Sequence, residues 1–257
     1  MDLPDILAGL TRAETGLAGA IPEDWLQGRT AYGGLSAAIA LHAARAAHPH
    51  LPPLRSAQIS FIGPLAGAIE VRAELIRRGR TAGFVNCDVV SEQGLGLRAM
   101  FVFMDERESA IDHVAPDFPP VPPPDEAKAV ARTDVIAFLR NFDFVDLKAI
   151  PGQGPADCLR WIRLRERAGL DPEIELLTVA DALPPAAMRL IPGFGPISSM
   201  TWIANLLTPR PATDDGWWLL RSRSDHARRG TSSQVMSVWN ARGEQVLTGM
   251  QSVAIFV

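Results

Sequence analysis

The stretch LLTVADALPP, Leu176–Pro185, closes an apolar helical run with an acid and follows it with a proline turn. A carboxylate such as Asp181, partly withdrawn from water at a helix end, suits general-base chemistry, because desolvation raises its proton affinity toward neutral pH. Other patterns in the chain offer less. GGLSAA nearly fits the G-x-S-x-G nucleophile elbow, but Ala38 stands where the last glycine belongs and no hydrophobic strand precedes it, so Ser36 reads as a helix residue. In SDHA, the consecutive Ser224, Asp225 and His226 would alternate across a strand and could not converge as a triad. HPH, His48–His50, fits a helix-terminating turn rather than a metal site. GFGP and GLGL lack the strand-turn-helix context of a phosphate loop. These readings predict no metal, no nucleotide and no redox cofactor.

Whatever Asp181 does depends on the elements that hold it. A proline-rich segment, APDFPPVPPPDEAK over 115–128, can form neither a helix nor a central strand, because repeated prolines fix φ and remove donors. It divides the chain into 1–110, a linker over 111–130, and 131–257. Before it, the alanine-rich GGLSAAIALHAARAAHPH is apolar nearly all round and stops at His48-Pro49, which predicts a buried helix. Four runs with much apolar/polar alternation follow, LRSAQISFIGPL, AIEVRAELIRRG, TAGFVNCDVVSEQ and LGLRAMFVFMD, as an antiparallel meander. After the linker the order returns: DCLRWIRLRE as strand, PEIELLTVADAL as helix, then four strands ending in EQVLTGMQSVAIFV. RRGR at 77–80 matches RRGT at 228–231, and RAMFVF matches MQSVAIF, so the chain reads as a faint internal duplication.

Composition bounds the partners. The chain has 257 residues, 47% of them hydrophobic, and a net charge of only −4, which supplies no field suited to nucleic acid or an acidic membrane surface. Two cysteines, Cys87 and Cys158, lie in strand-like runs and read as buried thiols. The N-terminal MDLPDILAGL has acids where a secretory signal carries positive charge, and no apolar run approaches a membrane span. A cytoplasmic protein is expected.

The ordered set GRTAYGGLSAAIALHAA, LRSAQISFIGPLAG, LIRRGRTAGFVNCDVVSEQG, RWIRLRE and GEQVLTGMQSVAIF resembles the acyl-CoA thioesterase II type of double-hotdog protein from about residue 20 to the end. The resemblance implies an α+β fold of two antiparallel sheets, each wrapped around a central apolar helix. It implies an acyl-CoA substrate and association into a homo-oligomer. It also implies that an Asp, a Thr or Ser and a Gln of the second half hold and polarise the attacking water, carried here by Asp181, Ser199 and Gln251. Ser199 follows from counting back from Pro209, and the adjacent Ser198 leaves the register open by one residue.

Thioester chemistry is compatible with so sparse a set. Sulfur donates little to the carbonyl and thiolate leaves readily, so one carboxylate base and two groups that orient water suffice. The N-terminus of an apolar helix at Gly33 and Gly34 offers backbone N–H groups for the oxyanion. Arginines in LIRRGR and RSRSDHARRG fit phosphate oxygens of coenzyme A and equally fit solvated turns. Trp202, Trp217, Trp218 and Trp239 would fill the core, with one or two bordering an acyl channel. Two alternatives are a non-catalytic acyl-CoA-binding protein and an enoyl-CoA hydratase, although no helix-initiating D-x-x-x-x-H of the hydratase kind is found.

Overall fold

The computed structural model describes residues 1–115, 118–130, 136–147, 150, 153–193 and 195–257, with no side-chain description at 127. Residues 116 and 117 of the expected linker and Phe194 of GFGP lie outside these. The first half contains α1 (Leu3–Ala8), β1 (Thr11–Ala13), β2 (Gly16–Ile21), β3 (Leu26–Gln27), β4 (Thr30–Ala31) and α2 (Gly33–Ala47). It continues with β5 (Leu54–Phe61), β6 (Gly67–Arg78), β7 (Ala82–Ser91) and β8 (Gly94–Met104). The second half contains β9 (Phe142–Asp146), β10 (Asp157–Leu164), α3 (Pro172–Ala180), β11 (Ile197–Leu206), β12 (Trp218–Arg228), β13 (Thr231–Asn240) and β14 (Gln245–Ile255).

The two antiparallel sheets of the expected fold meet edge to edge and form one continuous sheet. Its twelve strands run β1-β2-β6-β7-β8-β5-β11-β14-β13-β12-β10-β9, and β3 with β4 forms a small hairpin apart from it. The halves fuse where β5 and β11 pair antiparallel, from Thr201 opposite Ser60 to Asn205 opposite Ser56. Joining two inner edges satisfies their backbone donors and acceptors, which an open edge would leave to solvent or to aggregation. On either side of that seam the connectivity repeats: β2-β6-β7-β8-β5 on one side matches β10-β12-β13-β14-β11 on the other.

Two helices fill the hollow of the curved sheet. Alanine dominates α2, so it packs closely on its neighbours, and it is buried over most of its surface. It ends at His48, where Pro49 biases the preceding residue away from helical ψ. In α3, Asp171 caps the start by accepting from the Glu173 N–H at 2.8 Å, and Pro172 occupies the first turn. Ile174, Leu176, Leu177, Val179 and Ala180 of α3 are buried in the same core as α2. A link between the halves lies in the first turn of α3. Glu173, only 4% exposed at its side chain, pairs with Arg45 and accepts from the Leu54 N–H at 2.8 Å.

The proline segment is not a free tether. Its Val121 packs against a second cluster containing Trp161, Trp217 and Trp239, its Phe118 ring meets Trp239 edge-on, and the Trp161 indole donates to Pro122 O at 3.0 Å. Trp202 and Trp218 lie in the main core, and Cys87 and Cys158 are buried. No helix among the described residues is long and apolar enough to cross a membrane.

Candidate active site

Asp181 terminates α3 as its C-cap, and a tight turn follows in which Ala182 N–H reaches Val179 O. The N-terminus of α2 points at it from the other half. A Cβ on Gly33 would fall 2.5 Å from Asp181 Oδ2, so glycine permits this approach. The backbone N–H of Gly34 also holds the carboxylate. The two helices are clamped together by Tyr32, whose buried hydroxyl donates to Thr178 O at 2.6 Å, and by the contact of Gly34 with that same carbonyl.

Gln251 reaches Asp181 from the sheet. Its Nε2 donates to Asp181 Oδ1 at 2.6 Å, although 70 positions separate the residues. On β14, Gln251 and Val253 are buried and share the inward phase. Ser199 lies opposite Val253, and the register then slips so that Thr201, not Met200, pairs with Ser252. This bulge gives Ser199 the inward phase, whereas plain alternation counted back from the buried Trp202 would have turned Met200 and Ser198 inward. Ser198 is exposed, and its hydroxyl donates to Ser199 O at 3.4 Å.

A cavity of about 330 Å³ opens over this group, lined by Gly33, Asp181, Ser198, Ser199 and Gln251, with Phe61, Ile62, Pro64, Leu65 and Leu183 as apolar walls. Arg29, in the β3–β4 hairpin, is exposed and supplies a cation on the lining. Asp181 keeps an intermediate exposure and borders the cavity. Burial pushes its carboxyl up to about 7, and the donors on Gln251 and Gly34 offset only part of that rise. Tyr32 is driven well above the usual phenol range by burial and by the charge on Asp181.

Thus Asp181, Ser199, Gln251 and Gly33 border one cavity. Gly34 does not line it. The four tryptophans are all buried, as expected of core residues, and none lines this cavity. No arginine of LIRRGR or RSRSDHARRG lines it. Arg77–Arg80 spans the end of β6 and the start of the β6–β7 turn beside the Met104 end of β8, whereas the turn at 228–230 touches Ile255 at the cavity end of β14. Ser224, Asp225 and His226 are spread along β12, with Ser224 bonded to Ser232 and Asp225 to Arg223.

Sequence reasoning missed Gln234. It is fully buried on β13, in phase with Met236 and Val238, and its Nε2 donates to Gln251 Oε1 at 2.7 Å. A polar residue at an inward position of an alternating strand was the available signal.

Against this geometry, residues 115–255 match the family model of the acyl-CoA thioesterase C-terminal domain, and residues 21–104 match that of the N-terminal domain. The chain belongs to the acyl-CoA thioesterase family. By family this thioesterase is a thioester hydrolase. Its fold is shared with a hot dog fold protein of unknown function from Alicyclobacillus acidocaldarius, at TM-score 0.85 and 18% identity, covering 98% of this chain and 97% of that one. The tesB protein of Mycobacterium avium subs paratuberculosis matches at TM-score 0.80 and 19% identity over 100% of both chains. An acyl-CoA thioesterase II, TesB2, from Mycobacterium marinum matches at TM-score 0.74 and 19% identity, covering 100% and 97%. No curated protein matches the thioesterase by sequence.

Proposed function

We propose that the thioesterase hydrolyses acyl-CoA to a free carboxylic acid and coenzyme A by direct attack of water, with Asp181 as the general base. The observation that carries this reading is the Gln251–Asp181 hydrogen bond at the cavity that Ser199 also borders. Water held by Ser199 and Gln251 gives a proton to the Asp181 carboxylate as its oxygen bonds to the carbonyl carbon. The tetrahedral intermediate then collapses with cleavage of the carbon–sulfur bond, and the proton on Asp181 passes to the departing thiolate. Gly33, at the positive end of α2, lies where a backbone donor meets the developing oxyanion. A carboxyl near 7 suits both proton transfers, since it is a stronger base than an ordinary aspartate and still ionises at neutral pH.

The direct test is release of free thiol from a panel of acyl-CoA esters by the parent and by Asp181→Asn. The variant keeps the size of the side chain and removes the base, so kcat is expected to fall about 10²–10⁴-fold. Retention of activity within severalfold of the parent would remove Asp181 from that role.

A further inference from the structure

Gln234 is a buried polar side chain with no part in the hydrolysis itself. Gln234 is 0% exposed, and both ends of its carboxamide are engaged. Its Oε1 accepts from the backbone N–H of Ala186 at 2.8 Å, and its Nε2 donates to Oε1 of Gln251 at 2.7 Å. We propose that Gln234 is a positioning residue that dictates which end of the Gln251 carboxamide meets Asp181.

The argument is one of polarity. A carboxamide can rotate by half a turn with little change in shape, so sterics alone would allow Gln251 to present oxygen to Asp181. A backbone N–H donates and cannot accept. Ala186 therefore fixes Gln234 with its oxygen toward the loop and its NH₂ toward Gln251. That NH₂ fixes the oxygen of Gln251 in turn, so the Gln251 NH₂ must face Asp181, where it donates to Oδ1. The chain of donors runs one way, from the turn after α3 to the carboxylate that ends α3. One hydrogen of the Gln251 NH₂ is spent on Asp181, and the second remains for water or substrate.

This inference rests on Asp181 being the base, and the test separates the two claims. Gln234→Met should lower kcat about tenfold, the change expected for one positioned hydrogen bond, with KM within about twofold of the parent. The pH midpoint of the rate should move upward, because Asp181 loses a reliable donor. In a Gln251→Met background the same substitution should cost less than about twofold, since no carboxamide is left to orient. Parental kcat and midpoint in Gln234→Met, or an equal loss in both backgrounds, would overturn the proposal. Should Gln234→Met fail to fold, Gln234→Glu retains the acceptor for Ala186 and draws the Gln251 NH₂ away, so an unchanged midpoint there overturns it equally. Carbon-13 titration of the Asp181 carboxyl, identified by its loss in Asp181→Asn, reads the same midpoint without turnover. A parent that releases no thiol would sink the hydrolytic reading, while this titration still decides the orientation claim.

Discussion

At the scale of single residues, burial of Asp181 fixes both how the rate and how the stability follow pH. With its carboxyl at about 7, the base is mostly protonated below that pH, so kcat/KM should fall about tenfold per unit on the acid side and level off above. A pH–rate profile with its acid limb near 4 would contradict the assignment. The stability effect has the opposite sense. The folded value of about 7 exceeds the unfolded value near 3.8, so the folded chain holds the proton more tightly. The stability contributed is complete below the unfolded pKa and is lost as pH rises through about 7. Asp181→Asn removes that penalty and should be more stable than the parent at pH 8, on the order of 4 kcal/mol, with the gap narrowing at pH 5 and closing only near the unfolded value of 3.8. Thermal melts at the two pH values check it. Ser199→Ala should lower kcat about tenfold or more, while Ser198→Ala should stay within about threefold of the parent.

At the scale of elements, the approach of α2 to α3 is set by two adjacent glycines with different duties. Gly33→Ala would push a methyl group against Asp181 Oδ2 and the Phe61 ring, so kcat should drop while the melting temperature holds. Gly34→Ala meets the Thr178 carbonyl at 2.5 Å and Tyr32 at 2.6 Å, which forces the helices apart and should cost about 1–3 kcal/mol of stability. Comparing melts and kinetics of the two variants separates these effects. Helices α2 and α3 and the eight long strands of the two meanders could be read in the sequence, because alanine content, alternation and Gly/Pro punctuation are local signals, whereas α1 was not. Three features lay outside local reach. The bulge at Met200 exchanges the inward phase between neighbouring serines, and alternation alone points to the wrong one. The short β9 and the β3–β4 hairpin carry too few residues to show a period. The Gln234–Gln251–Asp181 chain joins three residues whose relation only strand register reveals.

At the scale of the whole molecule, the seam between β5 and β11 makes the halves one folding unit rather than two beads on a tether. Edge-to-edge pairing of the two copies follows from the need to protect open strands, but which strands meet leaves no mark in either segment, since the partners lie more than 130 positions apart. Equilibrium unfolding should therefore proceed as a single transition with coincident fluorescence and circular-dichroism curves. Glu173 tests the coupling, because it binds Arg45 and the Leu54 N–H of the other half far from the cavity. Glu173→Ala should cost about 3 kcal/mol by leaving a largely buried guanidinium without its partner, and kcat of the folded fraction should persist.

The repeated strand order makes the two ends of the helix pair related, and they are not alike. Where one holds an acid, a hydroxyl and carboxamides, the other presents Leu54, Phe101 and Phe103 from the matching strands β5 and β8, with α2 ending on His48 and Arg45 laid over the Phe103 ring at 4.8 Å. Symmetry of scaffold has not become symmetry of capacity. A tight-binding thioether analogue should accordingly saturate at a single equivalent per polypeptide, with the sealed end serving as keystone to the arch.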